Sequence, residues 1–143
     1  MTERITKLEA ATRQLDAAIA LFFEGNHLSS LTLAGAAEEI LGKLSGRDGK
    51  PVAVEEIVAF HRYDTDPALT DKQREKLLLG ILNGAKNSAK HANDADETHC
   101  DVGQVFSLQM IMRAMPMARR LGSPPRREAA MVAWVREHPE ALE

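Results

Sequence analysis

Cysteine and aromatic residues are scarce in this sequence, which holds one Cys and only 4% Phe, Trp and Tyr among its 143 residues. A single Cys excludes an internal disulfide and is consistent with a reducing cytosol. No apolar run approaches the roughly 18 residues that a membrane-spanning helix needs. The opening MTERITKLEA is charged and lacks the apolar segment of a signal peptide. We therefore expect a cytoplasmic protein without a membrane segment.

The charge balance is slightly acidic, with 18 Lys and Arg residues against 21 Asp and Glu residues. The net charge of −3 excludes a globally basic nucleic-acid-binding protein, although it allows a local basic patch. The apolar residues are mostly Ala, Leu, Ile, Val and Met, a composition that favours helices.

Apolar residues recur every three or four positions, which predicts amphipathic helices, and no segment alternates like a strand. The predicted helices and caps are 2–25 with Thr2, 29–46 with Ser29 or Ser30, 54–62, 71–92 with Thr70, 101–122 with Asp101, and 124–143 after Ser123. We expect one all-α domain, residues 1–143, folded as a compact bundle of five to six helices.

Several residues carry more detailed expectations about these helices. Thr70 and Gln73 have the spacing of a capping box. Pro116 is expected to kink or break the fifth helix, because proline lacks the backbone N–H and crowds the preceding turn. Trp134 is expected to anchor the last helix. The residues expected to face the core are Leu33, Ala36, Ala37, Ile40 and Leu44 in the second helix, and Met110, Met112, Met115 and Met117 in the fifth.

The fourth helix carries the first candidate site. Gly80, Gly84, Asn87 and His91 lie along one line of it, beside a Leu77–Ile81 stripe expected to face the core. A glycine inside a helix costs about 1 kcal/mol relative to alanine, so the pair predicts that another backbone approaches closely. Asn87 and His91 could share a substrate oxygen. The alternative is a helix end at which the core stripe runs out into solvent.

The segments DAAIALFFEG, TLAGAAEEIL, AKNSAKHAND and AWVREHPE follow one another along the chain. In this order they resemble a group of small helical bacterial proteins that has no assigned activity. Members of that group read closer to IHTLAGAA and NFFKHAD. Leu31 here takes the place of the first histidine, and Ser88 and Ala89 replace the aromatic pair. The resemblance implies a bacterial helical protein and brings no activity with it.

The six residues Lys86–His91 resemble the motif of HEPN domains, which consists of Arg, a polar residue (often Asn), three variable residues and His. The resemblance implies a HEPN-like fold and a metal-independent ribonuclease or a nucleotide-binding protein, with RNA or a nucleotide as ligand. His91 would act as general acid and base, Asn87 would orient it, and Lys86 would meet phosphate charge. Lysine supplies this charge without the planar fork of arginine.

Further charged residues are candidates for ligand binding. Glu38 and Glu39 form a carboxylate pair that we expect to be exposed unless a partner chain or a cleft covers it. Lys90 adds a cation at the end of the fourth helix. Arg119 and Arg120 lie in a segment without acidic residues, where they could bind phosphate or an acidic partner. The favoured interpretation is that they complement the C-terminus of the fifth helix.

The loop after the fourth helix concentrates side chains that can bind metals, namely His91, Asp94, Asp96, His99, Cys100 and Asp101. Their spacing matches no helical His pair, no C-x2-C motif and no EF-hand loop. We expect an exposed acidic connector, with no metal and no cofactor.

The leading functional hypothesis is a homodimeric binding or interaction module that acts without catalysis. The glycine-lined fourth helix, the Met-rich fifth helix and the lack of a nucleophile–base pair in the sequence motivate it. The alternative is a HEPN-type ribonuclease in which two copies of the Lys86–His91 helix end face each other across a dimer.

Overall fold

The structure is a computed structural model that describes all residues from Met1 to Glu143. It is an all-α bundle of six helices, as predicted, with short 3₁₀ turns after α3 and α6. The helices are α1 (Lys7–Phe23), α2 (His27–Arg47), α3 (Ala53–Phe60), α4 (Asp71–Lys90), α5 (Gln104–Arg120) and α6 (Glu128–Glu137). None of these helices combines the length and the apolar character needed to cross a membrane.

The hydrophobic core lies where α1, α2 and α5 meet. Apolar residues spaced three or four apart place one stripe of each helix on this common axis. The stripes of α1 and α5 are Ala11, Leu15, Ala18, Ile19 and Phe22, and Leu108, Ile111, Ala114 and Met117. The alanines let the helices approach closely, and the larger side chains fill the remaining space.

Two expectations about the core are confirmed. Met110, Met115 and Met117 are buried, and Met112 is partly buried against the same cluster. Trp134 packs edge-on against Phe22 with the ring centroids 4.9 Å apart, so it anchors α6 to α1. Such aromatic contacts bury a large area with few rotatable bonds.

The core-facing side of α2 differs from the predicted one. Its buried apolar residues are Leu31, Ala34, Ala37 and Leu41, and only Ala37 belongs to the predicted stripe. The true stripe is turned by about one residue, or roughly 100°. Because α2 contacts α1, α4 and α5, it also buries Gly35, Glu38 and Ser45. A hydrophobicity pattern does not mark such residues.

The helix starts confirm one predicted cap and correct the others. Thr70 and Gln73 form the predicted capping box of α4. The residues that precede the remaining helices are Thr6, Asn26, Gly103 and Arg127, in place of the predicted Thr2, Ser29 or Ser30, Asp101 and Ser123. The side chains of Thr6 and Asn26 accept backbone hydrogen bonds from their helices, whereas α5 and α6 begin without a side-chain cap. Ser30 instead donates its hydroxyl to the Ala18 carbonyl at 2.7 Å.

Pro116 does not break α5, which continues from Gln104 to Arg120. Its ring lies on the exposed side of the helix, between the buried Met115 and Met117. Because this side faces solvent, the proline ring displaces no side chain of the core.

α4 packs less deeply than the other long helices, and only Leu78 and Lys86 of its 20 residues are buried. The Leu77–Ile81 stripe, which was expected to face the core, is instead exposed, with 46% of Leu77 and 69% of Ile81 accessible. The helix is turned toward the side that carries Lys86, because carboxylates on α2 hold this lysine inward.

Replacing a core leucine should therefore cost far more than replacing a leucine on α4. We expect Leu41→Ala to lower the free energy of unfolding by about 2–5 kcal/mol, because Leu41 is fully buried and its loss leaves a cavity. Leu77→Ala, the matched control, should change it by less than about 0.5 kcal/mol. Urea unfolding followed by circular dichroism measures both, and equal losses would contradict the assignment of the core.

Candidate functional site

Lys86 is buried to an unusual degree for a lysine, with only 2% of its surface accessible. Its aliphatic stem crosses α2 at Gly35. A Cβ atom at position 35 would lie 2.5 Å from Cδ and 2.6 Å from Cγ of Lys86, which is closer than such atoms can approach. The missing side chain of Gly35 therefore makes the channel through which Lys86 reaches its partners.

These partners are two carboxylates on α2. The Lys86 ammonium donates a hydrogen bond to Glu39 Oε1 at 2.9 Å and lies 3.6 Å from Glu38 Oε2. Lys90 Nζ lies 3.7 Å from Glu39 Oε1, and Arg113 Nη2 of α5 donates to Glu38 Oε1 at 2.9 Å. We call Glu38, Glu39, Lys86, Lys90 and Arg113 the ion cluster. It joins α2, α4 and α5.

Arg113 ties α5 to α4 as well as to α2. Its Nη1 donates to the Leu82 carbonyl at 2.9 Å, and its Nη2 donates to Asn83 Oδ1 at 3.1 Å. Its buried Nε–H has no acceptor in the protein. A buried donor without a partner costs about 1–3 kcal/mol, so the hydrogen bonding of this guanidinium is incomplete.

The position of Glu38 corrects the expectation that it faces solvent, whereas Glu39 is exposed as expected. Glu38 is only 4% accessible, because α4 and α5 bring two cations over it. Burying its charge is tolerable only with such partners. Glu39 keeps a half-exposed side chain, and the hydrogen bond from Lys86 holds its pKa below the ordinary value.

An open cleft of about 670 Å³ lies beside the ion cluster. Glu38, Glu39, Asn83, Lys86 and Arg113 line one part of it. The remaining lining comes from Lys7, from the C-terminal half of α2 and from Val52, Val54 and Glu55. Its apolar side chains are those of Ile40, Leu44, Val52 and Val54. A volume of this order is typical of sites for small organic ligands.

The opposite side of α4 is an open surface, which corrects the expectation of a close backbone contact at its glycines. No atom lies within 4 Å of the position a Cβ would take at Gly80 or Gly84. The exposed Leu77 and Ile81 flank these glycines. We call Leu77, Gly80, Ile81 and Gly84 the outer face of α4.

The residues of the HEPN-like motif do not share one environment. Lys86 is buried in the ion cluster, whereas Asn87 and His91 are exposed. His91 ends α4, and its backbone N–H donates to the Asn87 carbonyl at 3.0 Å. The structure therefore separates Lys86 from the exposed imidazole and amide.

Arg119 and Arg120 lie away from the ion cluster and pair with acids near the end of α5. Arg119 donates to Glu128 at the start of α6, and Arg120 lies 3.7 Å from Glu56 of α3. Arg127 likewise donates to Asp16 of α1 at 2.5 Å. The basic segment thus joins helices through ion pairs, a role that differs from the expected pairing with the C-terminus of the fifth helix, which stays a prediction.

The acidic loop after α4 is exposed from Ala92 to Val102, which confirms the expected connector. No group of three or more His, Cys, Asp or Glu side chains in the structure is arranged to hold a metal ion.

Comparisons with known proteins found no match. No family, curated protein or solved structure shows significant similarity to this chain. The two resemblances seen in the sequence therefore stay predictions, and the chemistry of the site rests on its own geometry.

Sequence reasoning named Glu38, Glu39, Lys86 and Lys90 as site residues, and the structure brings these four together. It missed the roles of Arg113, Asn83 and Gly35. Arg113 left one usable signal, since it is a charged residue inside an otherwise apolar stretch of α5. Gly35 left none, because its role depends on a side chain 51 positions further along the chain.

Substitution of Gly35 should test whether it makes room for Lys86. We expect Gly35→Ala to destabilise the protein by about 1–3 kcal/mol, because the new methyl group overlaps the buried lysine stem. Gly42→Ala on the same helix is the matched control. Its methyl group would meet Val52 at an ordinary 3.6 Å, so helix propensity should stabilise it by up to about 1 kcal/mol. Thermal unfolding that moves both variants in the same direction would contradict this account.

The contact between Glu39 and Lys86 should make the free energy of unfolding fall at acid pH. The pKa of Glu39 is lowered in the folded protein from its ordinary value of 4.5, so its contribution is present above pH 4.5 and is lost as the pH falls through the lowered folded value. In the half-exposed site this contribution should be below about 1 kcal/mol. Wild type should therefore lose more free energy of unfolding on acidification than Glu39→Gln.

Glu75→Gln, an exposed carboxylate elsewhere on the surface, is the matched control for the pH experiment. Its acid dependence should follow that of wild type in denaturant titrations between neutral pH and acid. If Glu39→Gln shows the same acid dependence as wild type, the pKa of Glu39 is not lowered in the folded protein and the expected contribution of its contact with Lys86 is absent.

Proposed function

We propose that the protein is a homodimeric interaction module whose subunit interface is the outer face of α4. The supporting observation is that Leu77 and Ile81 are exposed beside two glycines with open space in front of them. A glycine inside a helix destabilises the helix relative to alanine, and these two glycines make no close contact within the chain that would offset this cost. A helix packed against them from outside would supply the missing contact.

The pattern of large and small residues favours a second copy of the same helix as the occupant. In an antiparallel pair centred between Gly80 and Ile81, Leu77 of each copy lies opposite Gly84 of the other, and Ile81 lies opposite Gly80. Large side chains of one copy thus lie against glycines of the other, as close helix packing requires. The same surface is used by both copies, which are related by a two-fold axis.

Compartment and source belong to the same proposal. The single cysteine and the resemblance to small helical bacterial proteins support a bacterial cytoplasmic protein. The HEPN-type ribonuclease stays a prediction from the sequence. The burial of Lys86 between Glu38 and Glu39 supplies no support for it, because this cation is already engaged by carboxylates.

The dimer should depend on Ile81. We expect wild-type protein to form a dimer in light scattering and sedimentation, and Ile81→Glu to weaken its association by more than about tenfold, because a carboxylate would be buried without a partner. Val102→Glu introduces the same charge at another exposed apolar residue and serves as the control. It should leave the association unchanged.

Circular dichroism first establishes that both variants fold. A wild-type chain that stays monomeric at high concentration would overturn the proposed function. A dimer weakened equally by both substitutions would place the interface elsewhere on the molecule.

A further inference from the structure

The cleft beside the ion cluster has an excess of positive charge. Five cationic side chains line it, Lys7, Lys43, Arg47, Lys86 and Arg113, against the three carboxylates of Glu38, Glu39 and Glu55. Inside the ion cluster, Lys86 and Arg113 are paired with carboxylates. The excess of positive charge therefore comes from Lys7, Lys43 and Arg47, which form the rim of the cleft.

The rim cations have no partners in the protein. Lys7, Lys43 and Arg47 form none of the salt bridges in the structure. Lys43 and Arg47 lie one turn apart on α2, so they present their charges on the same side of the helix. Glu55 is the one carboxylate at this rim that could oppose them.

Arg113 adds a second, independent feature inside the cleft lining. It is only 8% accessible, yet its Nε–H has no acceptor. Its Nη1 and Nη2 groups already donate to Leu82, Glu38 and Asn83, so Arg113 contributes a fixed positive charge to the cleft lining and not a free pair of donors.

The apolar side of the cleft indicates what accompanies the oxyanion. Ile40, Leu44, Val52 and Val54 supply a hydrophobic wall, and the volume of about 670 Å³ greatly exceeds that of an inorganic ion. We propose that this cleft binds an organic anion, whose carboxylate or phosphate group faces the cations of α2 and Arg113 while its apolar body contacts the valines. This site is independent of the proposed dimer.

The test uses three probes that share one apolar body, namely 1-naphthyl phosphate, 1-naphthoate and neutral 1-naphthol. Each is titrated into the full-length, isotopically labelled protein at neutral pH while backbone amide shifts are followed by NMR. We expect the two anions to shift amides of residues 43–55, and the neutral probe to bind at least about tenfold more weakly. A stronger response to one anion assigns the group as phosphate or carboxylate.

Charge reversal at the rim provides the matched variants. Lys43→Glu combined with Arg47→Glu should weaken binding of the anions by at least about tenfold and leave the helical circular dichroism unchanged. Arg4→Glu combined with Lys72→Glu makes the same change in net charge at exposed residues outside the cleft and should leave binding as in wild type. If both double variants weaken anion binding equally, the effect comes from net charge alone and the proposed site is overturned.

Two further outcomes would also overturn it. One is equal binding of 1-naphthol and the anions, which would make the cleft a purely apolar site. The other is the absence of any amide shift with all three probes at millimolar concentration.

Discussion

The burial of Lys86 on α2 is the contact on which the arrangement of α4 depends. α4 offers the core only one buried apolar residue, Leu78, so hydrophobic burial alone would hold it weakly. The lysine stem adds packing along Gly35, and its ammonium group meets two carboxylates at the far end. Together with the two hydrogen bonds from Arg113 to α4, this side chain fixes the distance and the rotation of α4, and this rotation leaves the outer face of α4 pointing away from the bundle.

The same contact explains why polar residues are found inside a helical bundle of this size. Once Glu38 is covered by α4, its charge needs more than one partner, and Arg113 supplies the second from α5. Arg113 in turn needs acceptors, which Leu82 and Asn83 provide on α4. Most charged groups of the ion cluster are paired with one another, and the cluster places several charges at the edge of a cleft. The charges that helix packing requires thus lie beside the cleft that we propose as an anion site.

The sequence was sufficient to predict the parts of the structure that depend on local patterns. The all-α class, the capping box of Thr70 and the core-facing methionines of α5 follow from spacing along a single helix. The stripe of α2 was wrong, because three neighbouring helices bury its small and polar residues as well as its apolar ones. The orientation of α4 was wrong for a related reason, since a lysine, and not the Leu77–Ile81 pair, faces inward. Four members of the ion cluster were named from a motif resemblance, an adjacent carboxylate pair and a charged helix end, but their meeting depends on tertiary contacts that the sequence pattern does not contain.

The shallow attachment of α4 has a consequence for the motions of the molecule. A helix held by one leucine, two partly buried alanines and a set of ion pairs has a lower free energy of local opening than helices that share the main core. Its amides should exchange with solvent through a subglobal opening in which α1, α2 and α5 stay folded. In that open form Glu38 and Arg113 would be hydrated together and the cleft would lose one of its walls. We therefore expect α4 to behave as a cooperative unit whose opening leaves the rest of the bundle intact.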